Sequence, residues 1–461
     1  MTSGAEPTTA GAVLAVYRTA LPIIGARLVQ SLGLLLGFTM VAQVGMEDLA
    51  ASALASSIFF ALITFGWGSL FAIGGLVGRA SGSADAEQIS SFNRAGVQFA
   101  VILGAVSIPP MLLVEHFLAL TDQPPHLVDL VGGFFDGIAF GIIPLLVAMA
   151  HSQVLIGLRR ARVVFHYALL NLVLTVALAY GLIFGIGPLP ELGLPGFGWA
   201  LGLAGLISAL ALALMIWREE EFRSYRFFTG PLRFEKSYFF NVTQTGLPIG
   251  LQMSAELGAI MVGTLMMGWF GQVALAAQQV VAQYALFLIS FPFGIGQAVS
   301  VMVGNSIGEA DREGCQRNAR AGQVAIGLFF AVVALGYWLI PQWLALPFVQ
   351  PSDHHAAEIT SLAAVLLAVT ALSQLVDSQR NMLAAILRPF NDTRFAMWNG
   401  LLALWIVALP CGYLFAVTME MGPVGLRFGT LAGVIVGLTL LAMHYRRSAE
   451  ERWLTALRER G

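Results

Sequence analysis

Five ionisable side chains stand inside stretches that are otherwise apolar: Arg27, Asp136, Glu256, Asp377 and Arg380. A charge in hydrocarbon costs at least about 2.5 kcal/mol, so such residues pair, line a water-filled cavity or bind a charged ligand. Glu256 falls roughly two helical turns past Pro248, halfway along its stretch, and Asp377 lies similarly deep in another. Carboxylates at that depth bind a proton, a metal cation or an organic cation. Competition between two such cations for one acid is the minimum chemistry of an exchanger. Arg380 follows Asp377 at i+3 on the same helical face. The pair can be purely structural, or it can hold Asp377 ionised and leave Glu256 as the group free to exchange protons.

Polar and aromatic residues gather around the two acids. Gln252 precedes Glu256; Gln279, Gln283, Tyr284 and Phe287 follow in the next stretch; Ser373 and Asn381 flank Asp377. Together they describe a cavity suited to flat organic cations or amphiphilic drugs, through charge, apolar area and cation–π contact. Asp136 stands between Gly133 and Gly137, with Gly141 one turn on. That spacing predicts close helix packing, and the acid is either a cavity residue or an interfacial one. Arg27 lies near the start of its stretch and is expected to snorkel to the interface.

Gly304-Asn305-Ser306-Ile307-Gly308 fits the nucleophile-elbow pattern, which needs a strand-to-helix turn with a histidine and an acid nearby. Here it ends an apolar stretch and reads as a helix-ending glycine motif. No Walker A, H-E-x-x-H or dinucleotide fingerprint occurs. We therefore expect a transporter rather than an enzyme, with no cofactor, driven by sodium ions or protons. If sodium is the coupling ion, Glu256 and Asp377 are its expected ligands.

These residues must be positioned by membrane helices. The chain is 57% hydrophobic and 11% charged, with a mean hydropathy of +0.79, far outside soluble norms. Twelve apolar cores can cross the bilayer: 20–43, 54–78, 96–119, 130–157, 163–187, 197–217, 244–269, 278–304, 321–345, 360–387, 395–417 and 425–445. Basic residues collect in even-numbered loops and at the C-terminus, among them Arg159, Arg160, Arg218, Arg317, Arg446 and Arg447; odd loops carry Glu47, Asp48, Glu115, Glu191 and Glu358. This asymmetry places both termini in the cytoplasm of a cell whose inner membrane holds the protein. Met1 to Tyr17 lacks a basic n-region, so no cleaved signal peptide is expected. The net charge of −2 suggests no nucleic-acid partner; the expected neighbours are lipid and substrate, around a monomer.

The chain also repeats itself. Leu21-Pro22-Ile23 returns as Leu247-Pro248-Ile249, an offset of 226, and Leu49-Ala50-Ala51, Asp85 and Arg94-Ala95-Gly96 return as Leu275-Ala276-Ala277, Asp311 and Arg320-Ala321-Gly322. Later the offset drifts to 229, with Gly193 and Gly196 answered by Gly422 and Gly425. The expected fold is all-α and polytopic: two six-helix lobes related by a parallel, same-orientation repeat. Residues 1–217 form the N-lobe, 218–241 a cytoplasmic connector, 242–447 the C-lobe and 448–461 a cytoplasmic tail. The repeat-mates of Glu256 and Asp377 are Gln30 and Ala148. The shared scaffold does not dictate either acid.

Leu21-Pro22, Leu247-Pro248 through Glu256, Ala276-Ala277-Gln278-Gln279, Phe291-Pro292-Phe293-Gly294, Val303-Gly304-Asn305-Ser306 and Asp377 with Leu387-Arg388 form one pattern. Over essentially its whole length the chain resembles the multidrug and toxic compound extrusion (MATE) transporters, particularly the NorM subfamily. The resemblance implies a two-lobed exporter that exchanges organic cations for sodium or protons, with its C-lobe cation site on Glu256 and Asp377. A lipid or glycolipid flippase of the same superfamily shares the architecture but would be expected to line its cavity with several basic residues. The family commonly carries an aspartate in span 1, whereas span 1 here has no carboxylate. Gln30→Ala should therefore change drug affinity at most several-fold, about 1 kcal/mol, and leave the ion dependence of transport in proteoliposomes unaltered. A changed sodium or pH response would return the coupling role to the first half.

Overall fold

The computed structural model describes residues 9–458 except 122, 187–189, 224, 226, 228–233, 350–353 and 448. Among the described residues, twelve helices are long and apolar enough to cross a membrane. The first six are α1 (Thr9–Val41), α2 (Met46–Gly82), α3 (Ala86–Ala119), α4 (Pro125–Gly157), α5 (Ala161–Phe184) and α6 (Leu194–Arg218). The second six are α7 (Lys236–Gly268), α8 (Gln272–Gly308), α9 (Arg312–Leu339), α10 (Ala356–Phe390), α11 (Thr393–Thr418) and α12 (Pro423–Arg447). A short amphipathic helix, α13 (Ala449–Arg458), ends the described chain. In lipid every backbone polar group has to be satisfied internally, which is why runs of this composition close as helices. The protein is an integral membrane protein of all-α class.

Helices run past the apolar cores where local chemistry extends them. α9 begins at Arg312 rather than near 321 because Asp311 caps it, accepting from Gly314 N–H at 2.8 Å. α7 begins at Lys236 rather than 244, since its first turns are anchored by aromatic contacts: Tyr238 lies edge-on to Phe92 at 5.0 Å and Phe239 to Phe99 at 6.3 Å. A helix therefore begins inside the segment expected to be a connector. The rest of that segment, and the 448–461 tail, fall partly outside the described residues.

The repeat is written into the backbone. Asp85 caps α3 by accepting from Gln88 N–H at 2.9 Å, as its mate Asp311 does for α9. The alanine before each cap is left-handed, Ala84 at φ 54° and Ala310 at φ 58°. Gly193 and Gly422, just before α6 and α12, both carry positive φ, 58° and 61°.

The chain packs as two compact units, Leu21–Gly250 and Met1–Ala20 with Leu251–Gly461. These bounds differ from the lobes drawn at 1–217 and 242–447. α1 and α7 each change unit partway, near the Leu-Pro pair that opens both repeats, so residues 9–20 and 236–250 each pack with the opposite half's helices.

Within the first unit, α4 and α6 approach until their backbones touch. A Cβ on Gly137 would lie 2.2 Å from Trp199 N, one on Gly141 2.3 Å from Gly202 Cα, and one on Gly198 2.1 Å from Phe134 O. The glycines around Asp136 thus serve helix packing. In the second unit Gly425, Gly429 and Gly433 of α12 do the same against α11, with Cβ positions 2.5 Å from Ala416 N, 2.2 Å from Gly412 Cα and 2.3 Å from Ala403 O. α11 itself widens into π-helical turns at Leu402–Ala408 and Leu414–Thr418, as expected around Pro410, which lacks an N–H and crowds the preceding turn. Gly141→Val should lower the melting temperature in detergent, by on the order of 1–3 kcal/mol of overpacking. Gly263→Ala, whose Cβ would meet nothing within 4 Å, should be neutral. Equal melting temperatures for the two would show that the glycine seam does not set stability.

Candidate cation site

In the second unit α7 supplies Gln252 and Glu256, one turn apart, and α10 supplies Asp377, Arg380 and Asn381. A guanidinium carries donors in a rigid planar fork, so one arginine can bond two carboxylates at once. Arg380 does this: Nε donates to Asp377 Oδ1 at 2.8 Å and Nη2 donates to Glu256 Oε1 at 2.8 Å. Gln252 Nε2 donates to the same Glu256 oxygen at 3.0 Å, and Asn381 Nδ2 donates to Asp377 Oδ2 at 2.9 Å. The three charged side chains are unequally placed: Arg380 is 1% exposed, Glu256 22% and Asp377 35%. The guanidinium is the buried floor and the carboxylates are its accessible face. Glu256 Oε2 accepts no hydrogen bond among the described residues.

Small residues make room for that floor. A Cβ on Gly437 of α12 would fall 2.9 Å from Arg380 Cδ, and one on Gly400 of α11 would fall 3.2 Å from Gln252 Cγ and 3.4 Å from Arg380 Nη1. Asn399 of α11 donates to Gly437 O at 3.0 Å and so ties α11 to α12 beside the guanidinium. Trp405, within the first π-helical segment, donates from Nε1 to Ala255 O at 3.0 Å, next to Glu256 in sequence. Four helices thus converge on one ion cluster.

The structure brings Glu256, Asp377, Arg380 and Gln252 together and corrects one expectation. Glu256 is not left apart from the Asp377–Arg380 pair, because the fork of Arg380 spans both acids. Ser373 is buried and donates to Val369 O of its own helix at 3.1 Å. Tyr284 donates to Leu344 O at 2.9 Å, with its ring edge-on to Tyr337 and Phe348; its hydroxyl serves the core rather than the acids. Gln279, Gln283 and Phe287 are exposed on α8, and Phe287 leans on Phe291, which stacks on Phe329 at 4.5 Å. Gln30, half-buried, and Asp136, exposed, belong to the other unit. Arg27 does not simply snorkel: its guanidinium lies 4.7 Å over the Phe71 ring. Ser306 is buried in a continuous helix and accepts from Asn318 Nδ2 at 3.0 Å, a packing role incompatible with a nucleophile elbow.

Asn399, Gly400, Gly437 and Trp405 escape a search for charged residues. One signal was available. Gly425, Gly429, Gly433 and Gly437 recur every fourth residue along α12, which marks a face reserved for close approach.

Comparison with known proteins gives this architecture its class. The MatE family model matches residues 22–181 and again 248–414, its two matches beginning one repeat offset apart. The probable multidrug resistance protein NorM of Rhizobium meliloti (strain 1021) is 32% identical over 428 residues, spanning 92% of this chain and 91% of that protein. The probable multidrug resistance protein NorM of Deinococcus radiodurans is 31% identical over 462 residues, spanning 98% and 100%. Among solved structures, the Vibrio cholerae MATE transporter VcmN in the bent form superposes with a TM-score of 0.84 at 18% identity, covering 97% of this chain and 99% of that one. An outward-facing multidrug resistance MATE family transporter of the MOP superfamily also gives 0.84 at 18% identity, covering 96% of each chain. The chain is a membrane transporter. It belongs to the MatE family and is NorM-like.

Because Arg380 bonds both acids, losing one still leaves it paired, whereas losing both strands a buried charge. Glu256→Gln and Asp377→Asn together should therefore destabilise the protein beyond the sum of the single changes. The excess should approach the order of 3–5 kcal/mol, typical of an uncompensated buried charge, read as melting temperature in detergent. Strict additivity would mean that the fork does not bridge the two acids.

Proposed function

We propose that this protein is a cation-coupled antiporter that exports organic-cation drugs and other toxic amphiphiles by alternating access, taking up sodium ions or protons in return. The observation that carries the reading is the pair of part-exposed carboxylates, Glu256 and Asp377, held midway along membrane helices over a buried guanidinium. An acid in this setting favours any cation that reaches it. A coupling ion and a cationic drug that compete for the same oxygens cannot be bound together, so loading one favours release of the other. The exposed aromatic edge of α8 at Phe287 offers apolar and cation–π contact for a flat ring system. Relatives bear the name of probable multidrug resistance proteins, which supports drugs as the cargo.

In this reading the coupling ion is cargo, and Glu256 with Asp377 would ligate it if it is sodium. The protein works as a monomer in the inner membrane, with both termini in the cytoplasm, as the charge asymmetry of its loops supports. A flippase carrying an anionic headgroup is a poorer match, because Arg380 is buried at 1% exposure and already bonded to two carboxylates.

The test is efflux of ethidium or a fluoroquinolone from proteoliposomes under an imposed sodium or proton gradient. Glu256→Gln keeps the shape and one acceptor but removes the charge. Gradient-driven efflux should be lost, while the melting temperature stays near wild type, since Asp377 still pairs Arg380. Wild-type efflux from this variant would sink the assignment.

A further inference from the structure

We infer that Arg380 is a tethered counter-ion that limits the acid pair to a single exchangeable positive charge, so that one coupling ion is exchanged for one monovalent cationic substrate. The inference rests on the antiport reading of this site and goes beyond it to the stoichiometry and the charge class of the substrate.

The geometry carries the argument. Two carboxylates alone would hold two negative charges and could accept two cations per turnover. Here a guanidinium, charged at any pH the protein experiences, is bonded to one oxygen of each. It is 1% exposed, and a Cβ on Gly437 would fall 2.9 Å from its Cδ. Leaving the cluster would strand a buried charge, so it cannot serve as the mobile ion. The cluster of Glu256, Asp377 and Arg380 therefore keeps one net negative charge. The remaining acceptor capacity faces outward, at Glu256 Oε2 and the exposed part of Asp377. Arg388 is the next basic group, within electrostatic range of Glu256. It makes no side-chain hydrogen bond to either acid, so it biases the local field without occupying their oxygens.

A site of one net negative charge is neutral when loaded with either one coupling ion or one monovalent organic cation. The loaded forms then carry the same charge in both directions, and a complete cycle moves none across the membrane. Dications would leave the site overcharged and should be poor substrates. Neutral drugs would make the cycle electrogenic.

The experiment uses the full chain in proteoliposomes, with ethidium as the monovalent cation and potassium–valinomycin to clamp the voltage. The ethidium ratio at which net flux reverses is measured against the sodium or proton ratio. For wild type the reversal ratio should follow the first power of the coupling-ion ratio and ignore voltage. Arg380→Gln, with two negative charges left, should follow the second power and shift about 50-fold per 100 mV, the equivalent of about 2.3 kcal/mol for one charge. Arg380→Lys, which keeps the charge, should retain the first power. Second-power or voltage-dependent reversal in wild type overturns the proposal, as does an Arg380→Gln protein indistinguishable from wild type. Should Arg380→Gln fail to fold, the wild-type exponent decides alone. Failure of the underlying antiport reading looks different: no coupled ethidium movement in wild type under either gradient, or coupling that survives Glu256→Gln.

Discussion

A guanidinium almost wholly removed from solvent inside a membrane helix has to be neutralised where it lies, and the second unit is organised around that requirement at Arg380. Its charge cannot be discarded by losing a proton, and its desolvation is repaid only by good geometry with opposite charges. Glu256 and Asp377 supply those charges from two different helices, so the pairing fixes the register of α7 against α10. Gln252 and Asn381 occupy further lone pairs, which holds each carboxylate in one orientation. At Gly437 a Cβ would fall 2.8 Å from Ala403 Cβ and 2.9 Å from Arg380 Cδ, so the arginine stem and α11 leave no room for a side chain there.

The same cluster makes the two halves of a repeated chain chemically unlike. The two halves share caps, left-handed residues and the helix-opening Leu-Pro pair, all features of backbone and packing. They do not share the acids of the cluster: Gln30 and Ala148 stand where the second half has Glu256 and Asp377. The scaffold occurs twice, and the Glu256–Arg380–Asp377 cluster occurs in it once. The first unit instead uses its close α4–α6 contact, where glycines replace side chains altogether.

Class, span count and the presence of two acids within apolar helices are legible in the sequence, because each rests on a strong local signal: apolar length, a repeated motif, or a charge where hydrocarbon should be. The bridging role of Arg380 was only half legible. Its i+3 spacing from Asp377 announces one bond, whereas the bond to Glu256 depends on how closely α7 approaches α10, which no local pattern encodes. Gln279, Gln283, Tyr284 and Phe287 stand in the apolar stretch that follows the one bearing Glu256. On a helix only one face can turn toward it, and Tyr284 found a partner in Leu344 O instead. Unit boundaries were hidden for a similar reason, since a long helix that changes packing partners midway leaves no break in composition.

An ion cluster that is fully satisfied would be inert, and one that is poorly satisfied would not hold its arginine. The exposures divide the two duties. Arg380 at 1% takes the structural share, using one oxygen from each acid; Glu256 at 22% and Asp377 at 35% keep the rest of their surface open. Lysine in place of arginine would be a single point donor on a flexible stem, unable to hold two carboxylates in a fixed plane while leaving their far sides free. The planar fork lets the same carboxylates anchor the helices and keep part of their surface open.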